Sequence, residues 1–224
     1  MFSVQVKDND VTPNLFIPAT ARSGSKRALY PSELQTLLSP ATSEFSWYMP
    51  HFRFLVLTGI RRGELCALQE ERDYQSPYIT IRETISHELV LGTPKSGKTR
   101  TEILTTQALE ALEDHRRRRI QLGINSGGRI NPKVLSEEWR KYRKAHSIDD
   151  ITLHELRHTF ATYSHKSLTV DDLKSMLGHG RKMDTLGTYV HEVPLTPAEI
   201  EKKRLEDKER ASKIDAIFQM ISEL

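Results

Sequence analysis

Thr58-Gly59-Ile60-Arg61-Arg62-Gly63-Glu64-Leu65 separates two kinds of sequence. Before it, residues 44–57 (EFSWYMPHFRFLVL) are apolar almost all round. That pattern predicts a helix buried on every side, bent or started by Pro50. Gly59 interrupts it, and Gly63 to Leu68 reads as the first turns of another helix. After Asp73 the period changes. Tyr78-Ile79-Thr80-Ile81-Arg82-Glu83-Thr84 alternates and is rich in β-formers, so it predicts a strand. Residues 87–91 predict a second strand and Arg100–Leu104 a third. The expectation is an antiparallel meander of three short strands, with Lys95 near its last turn.

Helical patterns lie on both sides of this sheet. Pro31 opens a short helix to about residue 38. Further helices are expected at Thr105–Gln121, Pro132–His146 and Leu153–His165, with Thr105 or Thr106 as a cap for the first. Thr169 caps Val170–Leu177, which stops at Gly178, and residues 181–190 read as one more helical piece. Pro197 starts a long charged helix ending in Ile214, Ile217, Phe218, Ile221 and Leu224, which share one apolar stripe. Residues 1–28 read as an extended lead-in or interdomain linker. The fold class is mostly α (α+β), with one small sheet.

Composition sets limits. The chain has 224 residues, 37% hydrophobic and 28% charged, enough for a sizeable core. No apolar run is long enough for a membrane helix, and the first residues show no signal-peptide pattern. Cys66 is the only cysteine, which excludes an internal disulfide framework and fits a reducing cytosol. The net charge is +3, from 33 Lys+Arg against 30 Asp+Glu, but basic residues cluster at 22–27, 116–119, 140–144 and 202–204. Such clusters permit a nucleic-acid partner without requiring one.

Three stretches concentrate chemistry: Thr58–Leu65, His154-Glu155-Leu156-Arg157-His158-Thr159, and Leu177-Gly178-His179 with Thr188-Tyr189-Val190-His191. Each has a bland reading. Arg61 at a helix end fits a solvated arginine paired with Glu64, or an anion clamp. His154 and His158 have a zinc-like i, i+4 spacing, but no third ligand follows at a suitable distance. A lone Tyr189 is ordinarily a packing residue, and Lys95 on a turn is ordinarily solvated. Together, two arginines, imidazoles, a lysine and a tyrosine can process a phosphodiester without a metal. Arginines neutralise the pentavalent phosphorane, a tyrosine attacks, and a lysine protonates the leaving oxygen.

The order of these motifs resembles the catalytic domain of the tyrosine recombinases, the phage integrase family. Thr58–Leu65 meets T-G-[LIM]-R-x-[SG]-E-L. Pro94–Leu104 meets the lysine-bearing hairpin pattern. His154–Thr162 meets H-x-L-R-H-T-F-A-T, and Leu177–His179 with Tyr189 and His191 meets L-G-H…Y-x-H. The resemblance implies the DNA breaking-rejoining fold over 29–195, with 196–224 as a C-terminal helix. It implies that Arg61 and Arg157 grip the phosphate, His154 accepts the nucleophile's proton and His179 hydrogen-bonds the phosphate. Lys95, with Lys98 as rival, protonates the 5′-oxygen. Tyr189 forms a 3′-phosphotyrosine, Glu64 buttresses the site, and His158 supports it. Arg62 rivals Arg61, but the spacing to Glu64 favours Arg61.

The same resemblance implies no ATP, metal or other cofactor. It implies double-stranded DNA as partner, a tetramer on DNA, action in the bacterial cytosol, and recombination serving a mobile element. Phosphate contacts are expected from Lys26, Arg27, Lys98, Arg100, Arg140, Lys141, Arg143, Lys144 and Arg181. Residues 1–28 are too short for the family's N-terminal core-binding domain, which is therefore expected to be missing from this chain. The C-terminal stripe fits packing on its own domain or, as the resemblance implies, docking on a neighbouring copy, and docking in trans is the expectation. The competing functions are a type IB topoisomerase, a non-catalytic DNA-binding regulator and a metal-dependent hydrolase.

Overall fold

The computed structural model describes residues 27–121, 129–178 and 197–223. Helices α1 (Pro31–Leu38), α2 (Met49–Thr58), α3 (Arg62–Ala67) and α4 (Glu70–Asp73) precede five short strands. These are β1 (Tyr74–Gln75), β2 (Tyr78–Ile81), β3 (Thr84–Ile85), β4 (Leu91–Gly92) and β5 (Arg100–Ile103). Helices α5 (Thr106–Gln121), α6 (Pro132–Ala145), α7 (Leu153–Ser164), α8 (Val170–Met176) and α9 (Pro197–Ser222) follow. The expected helix at 181–190 and the expected DNA contact Lys26 lie outside the described residues.

Helix α2 is the centre of the core. Met49, Phe52, Leu55 and Val56 have no solvent exposure, because α2 packs between α5 and α7. Its all-round hydrophobicity follows from having neighbours on both sides. Pro50 sits in its first turn, where a missing N–H costs nothing, so it starts the helix rather than bending it. Gly59 ends it at φ +66°, returning its N–H to Leu55 O at 2.9 Å. A side chain there would also strike the Phe160 ring. Glycine is thus required twice over.

The sheet differs from the expected meander. β2 pairs directly with β5, Ile81 opposite Arg100 and Ile79 opposite Glu102, and β1 completes the three-stranded sheet in the order β1-β2-β5. β3 and β4 form a separate two-stranded hairpin. Residues 87–91 are therefore not the middle strand. Ser86 closes a turn there: its hydroxyl accepts from the N–H of Glu88 and of Val90, and its carbonyl from Leu89 N. This local bonding by serine competes with strand pairing.

The C-terminal helix packs on its own domain: Ile214, Phe218 and Ile221 are buried, and the helix lies against α1, α5 and α7. The Phe218 and Phe160 rings stack at 6.2 Å. Asp215 adds a polar anchor, accepting the N–H of Thr106 at 2.7 Å and of Gln107 at 3.2 Å. A carboxylate at the start of α5 fills orphan donors and meets the positive end of the helix dipole. Thr105 caps the same helix through Ala108 N.

Candidate active site

Arg61 stands immediately before α3, with extended backbone, and Glu64 lies one turn later. Glu64 is completely buried. Its Oε2 accepts the Arg61 backbone N–H at 2.9 Å, and its Oε1 accepts Arg61 Nη1 at 2.9 Å. From β5, Arg100 grips the same carboxylate with both Nη atoms, at 3.1 and 2.7 Å. Burial alone would raise the Glu64 carboxyl. Hydrogen bonds and charge from Arg100, then bonds from Arg61, outweigh it and hold the group below the ordinary carboxylate range.

Arg157 enters from the middle of α7. It is 6% exposed. Nη1 donates to the Gly59 carbonyl at 2.8 Å, and Nη2 donates to the Leu177 carbonyl. Those carbonyls belong to the ends of α2 and α8, so the guanidinium ties both motif turns to α7. Burial first, and then repulsion from Arg61, depress its pKa to about 9, with Glu64 acting in the opposite sense. A buried cation beside a second cation is stabilised by any anion that enters.

His154 lies one turn before Arg157 on α7 and is exposed. Thr152 and Glu155 cap that turn reciprocally, and Thr152 Oγ1 also accepts the His154 N–H at 3.2 Å. Arg61, His154 and Arg157 all line one cleft of about 560 Å³. Arg62, Arg140 and Arg143 line it too. Arg62 donates to Ser136 at 2.9 Å, linking α3 to α6. Such a cleft suits a group carrying several anionic oxygens.

The structure thus brings together Arg61, Glu64, His154 and Arg157. His158 is exposed on α7 and is not among the residues lining the cleft. Lys95 and Lys98 are exposed on the turn between β4 and β5, closed by Gly97 N to Pro94 O at 2.7 Å, and do not line the cleft either. His179, Arg181 and Tyr189 lie outside the described residues.

The expected phosphate contacts divide. Arg140 and Arg143 face the cleft, and Lys144 is exposed. Lys141 is exposed and pairs with Glu138 at 2.6 Å. Arg27 is committed within the chain: it forks onto Glu33 at 2.6 and 2.7 Å, reaches the Asp149 carbonyl and lies over the Tyr30 ring. Arg27, within the expected lead-in of residues 1–28, thus packs on the helical body. Arg100 points inward to Glu64. Strand parity carries that signal: residues opposite one another across an antiparallel pair share a face, and Arg100 stands opposite the buried Ile81.

Among the described residues, no cluster of His, Cys, Asp or Glu is arranged to hold a metal. No helix among them is long and apolar enough to cross a membrane.

The helical body brackets a small sheet and brings Arg61, Arg157 and His154 to one cleft. The sequence matches the model of the phage integrase family over residues 27–194, and the chain belongs to that family, the site-specific DNA recombinases. No curated protein matches it. Among solved structures, it is similar to the Tn1549 transposon integrase in complex with transposon right end DNA, with TM-score 0.56 and 20% identity, over 83% of this chain and 67% of that one. It is also similar to XerA recombinase, with TM-score 0.57 and 22% identity, over 85% and 66%. A third is a lambda integrase dimer bound to a COC′ core site, with TM-score 0.52 and 21% identity, over 79% and 66%. The chain spans about two thirds of each of these relatives.

Proposed function

We propose that this chain cleaves and rejoins double-stranded DNA through a phosphotyrosine at Tyr189, in the cytosol, as part of integration or excision of a mobile element. The observation that carries this reading is the cleft itself. Arg157 is pinned to the ends of α2 and α8 beside Arg61, with His154 on the same wall.

The Tyr189 phenol loses its proton to His154 and its oxygen bonds to phosphorus. The bond from phosphorus to the 5′-oxygen breaks, and that oxygen takes a proton from Lys95 or Lys98 on the β4–β5 turn. Arg61 and Arg157 neutralise the charge that builds on the non-bridging oxygens, and His179 adds a hydrogen bond. Rejoining is the reverse, so bond energy is conserved. Copies of the chain act together on one DNA site. The lambda integrase neighbour, a dimer on a core site, supports that part. Arg62, Arg140 and Arg143 extend the cationic surface along the duplex.

The test is a nicked duplex from which the cleaved fragment diffuses away, so that the covalent adduct accumulates. Tyr189→Phe should form no adduct while binding the duplex with nearly unchanged affinity. An adduct that persists in that variant rejects the nucleophile.

A further inference from the structure

We propose that Arg100 is a positioning residue of the strand-transfer reaction, acting through Glu64 rather than by contacting DNA. The inference rests on the reading of the cleft given above. Arg100 is the first residue of β5, so the turn that carries Lys95 and Lys98 ends on it. Its guanidinium is 11% exposed and lies end-on against Glu64, two hydrogen bonds to two oxygens. That fork geometry fixes the carboxylate plane, which an ammonium on a flexible stem does not do. The carboxylate in turn holds Arg61 by both backbone and side chain. Arg100 therefore sets the placement of Arg61 without touching the substrate.

A second contact joins a third segment. Gly178 lies directly on the Arg100 guanidinium: a Cβ at that glycine would stand 2.9 Å from Cζ and from Nη1. Gly178 has φ +58°, follows the Leu177 carbonyl that accepts from Arg157, and immediately precedes His179. Glu102, on the same sheet face, stands 3.5 Å from Arg100 Nε. One buried guanidinium thus meets the end of the lysine-bearing turn, the carboxylate behind Arg61, and the backbone leading to His179.

The experiment measures adduct formation on the nicked duplex at saturating DNA, together with DNA affinity as a function of salt. The variants are Arg100→Met, Arg100→Lys, Glu64→Gln and the double variant Arg100→Met with Glu64→Gln. Loss of the fork should lower the adduct rate constant at least tenfold in both Arg100 variants, with the active fraction of protein, the affinity and the salt slope unchanged. In the Glu64→Gln background, Arg100→Met should add little, because both changes cut the same path. Gly178→Ala, which presses on the guanidinium, should reproduce the rate defect and serves where Arg100→Met does not fold.

Three results would overturn the inference. One is fully additive losses in the double variant. Another is an Arg100→Met rate constant within threefold of wild type. The third is a salt slope shallower by about 1, the signature of a lost phosphate contact. The cycle reads the adduct whichever residue carries it. An adduct persisting in Tyr189→Phe therefore sinks the nucleophile and leaves the Arg100 result readable, and additivity sinks Arg100 and leaves the nucleophile standing.

Discussion

Arg157 on α7 donates to the carbonyl of Gly59, the residue that ends α2, across 98 positions of sequence at 2.8 Å. The bond exists because Gly59 adopts a left-handed conformation that turns the chain out of α2. Fold and site meet at that carbonyl. Arg157→Ala should lower the rate of adduct formation by a hundredfold or more, equivalent to about 3 kcal/mol or above. Arg157→Lys should not restore it, because one ammonium cannot hold two carbonyls and an anion in one plane. Single-turnover kinetics at saturating DNA decide this, and a loss under tenfold would remove Arg157 from the clamp.

Glu102 supplies a pH test. Burial, the largest effect, pushes its carboxyl from the ordinary 4.5 up to about 7, against the pull of Arg100 and Arg210. The folded state therefore favours the protonated form. Glu102 costs nothing below pH 4.5, and stability falls as pH rises from there through 7. Glu102→Gln should match wild type near pH 4 and be more stable at pH 8 by about 1–3 kcal/mol. Urea unfolding at the two pH values measures it, and an equal difference at both would refute the assignment.

Arg27 and the pair Arg140/Arg143 should separate in salt titrations of DNA binding. Arg27 spends its charge on Glu33, so Arg27→Ala should leave the salt slope unchanged and cost about 1 kcal/mol of stability. Arg140→Ala and Arg143→Ala, which open the cleft wall, should each make the slope shallower by about 1. A reduced slope in the Arg27 variant would mean that its ion pair opens on DNA.

Phe218→Ala should cost about 3–5 kcal/mol and lower Tm by about 10 °C, since the ring is fully buried against Phe160. Calorimetry with sedimentation checks both halves of the statement. The expected result is a destabilised protein with an unchanged association state. Altered association at unchanged Tm would favour docking in trans.

The helices were legible because their patterns were strong. Pro31, Pro132 and Thr169 begin α1, α6 and α8 as sequence alone suggests. The α4 helix was not, because Glu70–Asp73 is four polar residues with no periodicity to detect. The sheet misled for a specific reason: residues 87–91 have strand-like composition, but Ser86 bonds the backbone into a turn. Arg61, His154 and Arg157 were readable as motif positions. Which cations are paired within the chain was not, since charge says nothing of partners. Glu33 pairs with Arg27, and Glu64 with Arg100, through contacts that only the fold creates.

Lys95 and Lys98 share one exposed turn, and the chemistry of the leaving group separates them. Replacing the bridging 5′-oxygen by sulfur makes a leaving group that needs no proton. The alanine variant of the true acid should be slow on normal DNA and recover at least tenfold on the sulfur substrate. The other lysine's variant should gain no more than wild type. If neither variant is rescued, the proton comes from elsewhere.

The central claim is that a phenol becomes covalently bound to DNA beside two guanidinium groups. Trapping the adduct on a nicked duplex, digesting it and mapping the modified peptide tests it most directly. The expected product is a nucleotide attached through phosphate to Tyr189, formed in EDTA and lost in Tyr189→Phe. Attachment at any other residue, or strand cleavage that leaves no covalent protein, would contradict it.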